Sequence, residues 1–183
     1  MIVKQTLSFL EQGKIILYPT DTVWGIGGDA TRPAVVQRIY ALKKRADAKA
    51  LIALVGSKEM LQDYINPIPP QVLPYLESEQ PTTIIYNHPK GLANNMLSEE
   101  QTVGLRLPKH PFLTPLLAAF GKAIISTSAN MSGYATPQSF AEIDPEILEG
   151  VDYVVPLEQE KISGKPSRII KVSPEGSLEI LRP

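Results

Sequence analysis

The chain has 183 residues, of which 43% are hydrophobic and 20% are charged, and its 18 Lys and Arg against 19 Asp and Glu leave a formal net charge of -1 at pH 7. This composition is typical of a globular domain and excludes a disordered chain, while the near-neutral charge argues against nonspecific nucleic-acid binding as the main role. Cysteine is absent and only His88 and His110 supply imidazole, which excludes disulfides, a thiol nucleophile and a thiolate metal site and disfavours a Ser-His-Asp triad.

The sequence carries no sign of membrane insertion or export. No segment approaches the roughly 18 uninterrupted apolar residues of a transmembrane helix, and residues 1–14 have neither a long apolar run nor a small-residue cleavage site. We therefore expect a cytoplasmic protein that makes no membrane contact. The length, and the absence of a repeat or a single marked linker, predict one domain over residues 1–183.

Hydrophobic periodicity predicts helices that alternate with strands, followed by a cluster of short strands. In chain order we expect a helix within residues 1–14, a strand over 14–18, a helix from about 31 to 45, a strand over 51–55, helices over 57–65 and 70–76, strands over 82–86 and 102–107, a helix over 111–120, and strands over 123–125, 151–155, 168–172 and 178–181. Thr31 is the expected N-cap of the second helix, with Pro33 in its first turn. This order favours an α/β fold built on a mixed sheet flanked by helices.

The first candidate functional segment is the loop PTDTVWGIGGDA at residues 19–30. It places Thr20, Asp21 and Thr22 after a buried strand and before a helix, where open α/β sheets bind ligands. Its glycines permit close backbone approach, but they match neither the dinucleotide-binding fingerprint nor a P-loop. Taken alone, the loop is equally compatible with a structural turn.

The second candidate is the basic group Lys43, Lys44 and Arg45, with Lys49 just beyond it. Cations at the C-terminal end of a helix complement its dipole and are usually solvated, which is the simplest interpretation. The alternative is that Lys43, Arg45 and Lys49 surround a polyphosphate. Lys43 and Arg45 would converge only if the helix ended or unwound there, because residues two apart on a helix point in different directions.

The third candidate is the polar segment STSANMSG at residues 126–133, which follows a buried strand. Its hydroxyls and amide can line a polar pocket or simply form Asx and Ser/Thr turns. Arg106 lies in an alternating, half-buried strand, on the face opposite Leu105 and Leu107, and is either an exposed cation or an anion ligand.

Other charged side chains suggest no site. The acidic residues Asp144, Glu146 and Glu149 are expected to form a solvated face, and His88 and His110, each beside a proline, are expected on the surface. Together, the polar strand-end loops and the cations, without a nucleophile–base pair, favour a site for a phosphate-bearing substrate. Catalysis there would come from positioning and charge stabilisation, with a metal arriving on the nucleotide.

These segments resemble the YrdC-like threonylcarbamoyl-AMP synthases. The resemblance is carried, in family order, by YPTDTVWGIGGDA, LKKRADAKALIAL, PTTII, VGLRLPKHP, ISTSANMSG, GKPSRII and the terminal EILRP. It implies an open, twisted α/β sheet around a concave pocket, and a nucleotidyltransferase that condenses L-threonine, bicarbonate and ATP into threonylcarbamoyl-adenylate and pyrophosphate. The product serves tRNA threonylcarbamoyladenosine modification, which separate partner proteins complete.

The resemblance also implies roles for individual residues. ATP and its phosphates would be bound by Lys43, Arg45, Lys49, Ser128 and Asn130, and threonine and bicarbonate by Thr20, Thr22, Arg106, Thr127 and Ser167. No covalent nucleophile and no side-chain metal ligand is expected, and Mg²⁺ would enter with ATP.

Three positions depart from the family pattern. Residues 78–81 (SEQP) stand where Pro-Gly-Pro is usual, Ala50-Leu51 replaces Pro-Leu after the basic group, and Arg168 replaces a threonine after Ser167. None of these changes removes a charged group that the chemistry needs.

Two other functions remain open from the sequence. The first is a non-catalytic module that binds tRNA or double-stranded RNA through the basic group, or an enzyme that also binds RNA weakly, although the net charge disfavours RNA binding as the main role. The second is a related carbamoyl-adenylating domain of hydrogenase maturation, which is normally embedded in far longer, cysteine-containing chains.

Overall fold

Nine strands form a single mixed sheet in the computed structural model, which describes residues 1–44 and 51–183. They are β1 (Ile16–Tyr18), β2 (Gly25–Gly27), β3 (Ile52–Leu54), β4 (Thr82–Asn87), β5 (Thr102–Arg106), β6 (Ile124–Ser128), β7 (Tyr153–Val154), β8 (Arg168–Val172) and β9 (Leu178–Arg182). Across the sheet their order is β7-β1-β2-β6-β3-β5-β4-β8-β9. The pairs β1–β7, β3–β5 and β4–β8 are parallel and the others are antiparallel, which confirms the predicted mixed sheet.

Helices cover both faces of this sheet. They are α1 (Ile2–Glu11), α2 (Pro33–Leu42), α3 (Lys58–Tyr64), α4 (Leu73–Glu77), α5 (Leu113–Phe120) and α6 (Pro145–Gly150), with short 3-10 turns at Pro70–Val72, Asn94–Met96 and Phe140–Glu142. Successive strand residues point to opposite faces, so Ile16 and Tyr18 join a core with α1 and α5, while Leu17 joins the larger core with α2 and α3. No helix in the described ranges is both long and apolar enough to cross a membrane.

Local chemistry explains several helix ends. The Ser57 hydroxyl accepts a hydrogen bond from the Met60 amide at the start of α3, and the Asp144 carboxylate accepts one from the Glu146 amide at the start of α6. Gly121 ends α5 in the left-handed region, with φ of 66°, which a side chain would disfavour.

The structure corrects the prediction that Thr31 caps α2. The residue before the helix is Arg32, and the Thr31 hydroxyl instead donates to the buried Asp29 carboxylate at 2.6 Å. The helix also ends at Leu42, earlier than expected, and Arg45 lies outside the described residues. The Asp29 carboxylate, two residues upstream, therefore accepts a hydrogen bond from the hydroxyl that was predicted to cap the helix.

Two loops contain more strand than the sequence predicted. β2 lies inside the glycine-rich loop and pairs with β1 and β6, so the Thr20–Thr22 turn leads into a hairpin strand and not into a helix. β6 extends through Ser128, so the polar segment begins inside the sheet. Glycine and small polar residues hide these strands from a hydrophobic pattern, since their burial comes from neighbouring strands.

Burial differs from expectation at two further places. All five residues of β5 are buried, and so it is a central strand and not a half-buried one. His110 is buried, with only 4% of its surface exposed, and its Nε2 lies 3.2 Å from Glu158, whereas His88 is exposed as predicted. The acidic residues Asp144, Glu146 and Glu149 are exposed as expected, on and beside α6.

Candidate active site

A cavity of about 260 Å³ lies where the central strands β2, β6, β3 and β5 meet the loop before β8 and the end of β9. Its walls are formed by Thr22, Val23, Trp24, Gly25, Leu51, Ile52, Arg106, Ser126, Thr127, Ser128, Thr136, Pro166, Ser167 and Arg182. Most of the polar groups are hydroxyls, and the charged ones are both guanidiniums. A small, polar and cationic concavity of this kind fits an anionic ligand.

Arg106 is the buried cation of this cavity. Only 2% of its surface is exposed, and burial lowers the pKa of its guanidinium while the facing Asp21 carboxylate opposes that effect. Its Nη1 donates to the Thr22 hydroxyl at 3.0 Å, and its Nη2 lies 3.3 Å from Asp21 Oδ1. Its Nε is buried and has no hydrogen-bond partner among the described residues. The structure therefore rejects the exposed alternative for Arg106 and leaves an unsatisfied cationic donor at the cavity wall.

The Thr20–Thr22 turn gives Arg106 its support. The Thr20 hydroxyl accepts from the Thr22 amide at 3.0 Å, donates to the Val23 carbonyl at 2.8 Å and lies 3.0 Å from the Thr22 hydroxyl. Thr20 is thus committed to the turn and lines an adjoining cavity of about 190 Å³, which Thr22 also borders. Thr22 is the residue of the pair that reaches Arg106 and the main cavity.

A second guanidinium enters from the end of the chain. Arg182, in β9, lines the cavity and donates through Nε to the Ser167 carbonyl at 2.8 Å, and its own pKa is lowered by partial burial. The Ser167 hydroxyl is 2.8 Å from the Thr83 hydroxyl, so the loop before β8 is fixed against β4. The positive charge of Arg182 also lowers the pKa of Arg106. Two like charges near one cavity are stabilised by an anion between or beside them.

Lys43 occupies the back of the site and is buried, with 2% of its surface exposed. Its ammonium donates to the Asn130 carbonyl at 2.7 Å and also to the Ser128 carbonyl. The Asn130 side chain in turn accepts from the Ser128 hydroxyl and donates to the Tyr134 carbonyl at 2.8 Å. Lys43 therefore holds the Ser-Ala-Asn segment in place where β6 leaves the sheet.

The structure brings together only part of the predicted residue set. Thr22, Arg106, Thr127, Ser128 and Ser167 line the main cavity, while Thr20 borders its neighbour and Lys43 and Asn130 support the wall from behind. Arg45 and Lys49 lie outside the described residues. The ATP-binding and threonine-binding roles of these residues stay predictions.

Several lining residues were given no individual role by the sequence, although two of them, Trp24 and Ser126, lie inside candidate segments. Trp24, Ser126, Thr136 and Arg182 come from four separate segments that meet only in the folded chain. Arg182 carried a weak signal, because it lies in a terminal segment that matches the family pattern. Trp24, the sole tryptophan, is also buried, and its ring packs against Phe140 at 5.0 Å.

The side chains that line the main cavity do not include the ligands that a magnesium ion prefers. Along the described lining of the main cavity the polar side chains are hydroxyls and guanidiniums, with no carboxylate, and the described parts of the chain contain no group of three His, Asp or Glu residues suited to a metal. Magnesium prefers carboxylate and phosphate oxygens. The described lining thus does not fit a magnesium ion held by its side chains.

Two departures from the family pattern contact each other. The Arg168 guanidinium lies over the Tyr75 ring at 4.9 Å, and its Nη2 lies 3.4 Å from the Ser78 hydroxyl and 2.9 Å from the Thr82 hydroxyl. The unusual arginine therefore braces the unusual turn before β4. This cluster lies outside the main cavity, so neither change alters its described lining.

Comparison with known proteins places the chain in a family. The Sua5/YciO/YrdC family model, described as "Telomere recombination", matches residues 8–183. The threonylcarbamoyl-AMP synthase of Pseudoalteromonas translucida is 33% identical over 81% of this chain and 82% of its own length, and that of Vibrio parahaemolyticus is 31% identical over 91% of each.

Solved structures agree at the level of the fold. Two structures of P. abyssi Sua5, one of a variant and one complexed with L-threonine, superpose with TM-scores of 0.88 and 0.84 at 24% identity. They match 99% of this chain, which spans only 56% and 53% of those Sua5 chains. Because the family model matches nearly the whole chain and these relatives are about a third identical to it, this protein belongs to the Sua5/YciO/YrdC family.

Proposed function

We propose that the protein is a threonylcarbamoyl-AMP synthase, an adenylyl-transferring enzyme that acts on L-threonine, bicarbonate and ATP. The observation that carries the proposal is the buried Arg106, held against Thr22 at the wall of a hydroxyl-lined cavity that also receives Arg182. Such a cavity suits substrates that all carry negative charge. Relatives named threonylcarbamoyl-AMP synthase, about a third identical over most of their length, support the same activity.

The threonine half of the site is built around Arg106. A carboxylate is the preferred partner of a guanidinium, and Arg106 lines this cavity, so the proposal assigns the carboxylate of threonine to Arg106. The hydroxyls of Thr22 and Ser167 lie at the same cavity and offer hydrogen bonds to the amine or hydroxyl of threonine. Thr127 contributes a third hydroxyl on the β6 wall.

The ATP half is assigned to the end of β6 and the segment that follows it. Ser128 faces the cavity, and Lys43 and Asn130 fix the backbone around it. Arg45 and Lys49 complete this half in the proposal, as phosphate ligands that follow α2 in the chain. Mg²⁺ enters as part of the MgATP substrate, bound by its phosphate oxygens.

The reaction needs no protein nucleophile because the substrates supply the nucleophiles. The threonine nitrogen attacks the carbon of bicarbonate, water leaves, and an N-carboxylate forms. One oxygen of that carboxylate attacks the α-phosphorus of ATP while the bond to the β-phosphate oxygen breaks, which releases pyrophosphate and gives threonylcarbamoyl-adenylate. The side chains bind and orient the reactants and stabilise the negative charge that builds up on the phosphoryl group.

The test is release of pyrophosphate from MgATP by the purified protein, measured with and without L-threonine and bicarbonate. We expect release that requires both co-substrates, with formation of an adenylate of the matching mass. Arg38→Lys serves as the control variant, because Arg38 lies on α2, pairs with Asp152 at 3.0 Å and does not line the cavity. It is expected to retain full activity.

The same purified protein also tests the alternative that the chain is a non-catalytic RNA-binding module. A folded protein that retains tRNA on a filter yet releases no pyrophosphate under these conditions would overturn the enzyme assignment. Weak tRNA retention alongside pyrophosphate release would leave it intact. The delivery of the adenylate to tRNA-modifying partner proteins and the cytoplasmic location stay predictions that accompany this function.

A further inference from the structure

Asp21 is the carboxylate that faces the buried guanidinium of the site. Its side chain is 9% exposed and that of Arg106 is 3% exposed, with 3.3 Å between Asp21 Oδ1 and Arg106 Nη2. Among the described residues, Asp21 supplies the one acidic ion-pair partner of Arg106 that the contacts reveal. Burying a guanidinium costs free energy unless an opposite charge lies beside it, and Asp21 supplies that charge.

The geometry of the pair is unusual in one respect. Although Nη2 and Oδ1 are close, their alignment is not that of a hydrogen bond, and Oδ1 has no hydrogen-bond donor in the described part of the chain. The firm contact to Arg106 is the 3.0 Å bond from Nη1 to the Thr22 hydroxyl. Asp21 therefore attracts the guanidinium mainly through charge, while Thr22 fixes one of its nitrogens.

We propose that Asp21 is a positioning residue for the threonine substrate, which it serves by holding the guanidinium of Arg106 against Thr22 at the wall of the main cavity. This inference rests on the proposed function. Asp21 itself borders the adjoining cavity of about 190 Å³ and not the main one, so it acts through Arg106. Without the carboxylate, the long arginine side chain would sample other rotamers and would have to be ordered again at each binding event.

The same carboxylate also limits how positive the cavity becomes. Arg106 and Arg182 repel each other electrostatically, and the charge of Asp21 offsets that repulsion at Arg106. A purely structural carboxylate would stabilise the fold and nothing more. A positioning carboxylate must instead change the affinity for threonine more than the affinity for ATP, because Asp21 faces Arg106, whereas the proposed ATP groups Lys43, Ser128 and Asn130 contact one another.

The experiment compares Asp21→Ala and Asp21→Asn with the wild-type protein in the pyrophosphate-release assay. We expect Asp21→Ala to raise the KM for threonine roughly tenfold, with kcat and the KM for ATP changed less than about twofold, because ground-state positioning is lost. Asp21→Asn keeps the size of the side chain but loses its charge, and so it is expected to recover only a small part of the loss. In an Arg106→Ala background, Asp21→Ala should add almost nothing, because the two residues act as one unit.

Asp29→Asn is the matched control. Asp29 is a fully buried carboxylate that pairs with Arg32 at 3.2 Å and Lys122 at 3.3 Å, away from the cavity lining. Its variant should lower the melting temperature without changing the KM for threonine. A folded Asp21→Ala protein with the wild-type KM for threonine would overturn the inference, and if that variant does not fold, an unchanged KM in Asp21→Asn would do so. Absence of pyrophosphate release from the wild type would instead count against the proposed function.

Discussion

Two buried cations flank the candidate site, and they are held in different ways. Arg106 lies on the central strand β5 and meets the charged carboxylate of Asp21 and the hydroxyl of Thr22. Lys43 follows α2 and donates to the backbone carbonyls of Ser128 and Asn130. Both residues are 2% exposed, so burial alone does not separate them.

The difference lies in what each cation can offer a ligand. The donors of Lys43 that the structure shows are committed to carbonyls of the chain, and so Lys43 organises the wall that carries Ser128. Arg106 lines the main cavity, where a substrate anion can meet its guanidinium, whereas Lys43 is not part of the described lining.

The largest effect should follow from Arg106→Ala. We expect loss of threonine-dependent pyrophosphate release by about a hundredfold or more in kcat/KM, together with about 3 kcal/mol of stability, because Asp21 would be left as a buried charge without its partner. Steady-state assays and urea unfolding measure the two effects. Near-normal kcat/KM for threonine in this variant would remove the contrast between the two cations.

A smaller, mainly structural effect should follow from Lys43→Met. Loss of the charged hydrogen bonds to the Ser128 and Asn130 carbonyls should reduce the free energy of unfolding by about 2 kcal/mol and raise the KM for ATP more than the KM for threonine. Lys44→Met is the neighbouring control, since Lys44 is exposed and pairs with Glu146 at the surface. Equal destabilisation by the two substitutions would contradict the role given to Lys43.

The smallest effect should come from a partly exposed acid, Glu158, which lies beside the buried His110. Burial on its own would raise the pKa of Glu158, but the hydrogen bond from Lys161 and the charge of His110 outweigh it and lower the pKa below its ordinary value of 4.5. A lowered pKa contributes stability above the ordinary value, and that contribution disappears as the pH falls through the folded-state value. Because the side chain is 27% exposed, the contribution should be below about 1 kcal/mol.

Paired urea titrations of the wild type and Glu158→Gln between pH 7 and pH 3 test this expectation. The difference in stability should be largest at neutral pH and should vanish towards pH 3. A difference that stays constant over the whole range would show that the carboxylate charge is not involved. The difference at neutral pH gives the contribution of a partly exposed ion pair to the free energy of unfolding, and the buried pair of Asp21 and Arg106 can be compared with it.

Much of the fold followed from local sequence signals. The buried runs that became β1, β3 and β4 are bounded by turn residues, and α5 ends at Gly121 as its sequence indicates. β2 was missed, since a strand of sequence Gly-Ile-Gly has almost no β-propensity, and it exists because β1 and β6 supply partners on both sides. Residue 27 of this strand has no room for a side chain, because a Cβ on Gly27 would lie 2.0 Å from the Ile125 carbonyl oxygen.

Local sequence signals predicted only part of the candidate site. Motif spacing identified Thr22, Arg106, Ser128 and Ser167, because each stands in a segment with family-specific neighbours. The sequence could not predict that His110 is buried or that Arg182 lines the cavity, because both depend on contacts between segments far apart in the chain. The prediction of a half-buried β5 was also wrong, because alternation with Thr102 and Gly104 looks polar although both residues are buried. At Gly104 a Cβ would meet the side chains of Ile52 and Thr83 from the neighbouring strands β3 and β4.

The sequence by itself determined the composition class, the α/β order of elements and the family motifs, because these depend on residue type and short spacing. Its charge of -1 is an average, and it could not say where the positive charge gathers. Only the tertiary structure decided that Arg106 is buried against Asp21 while Lys43 binds carbonyls. The physical reason is that burial and pairing are set by which segments meet across the sheet, and a charged side chain changes its role according to whether a carboxylate, a carbonyl or an empty cavity lies beside it.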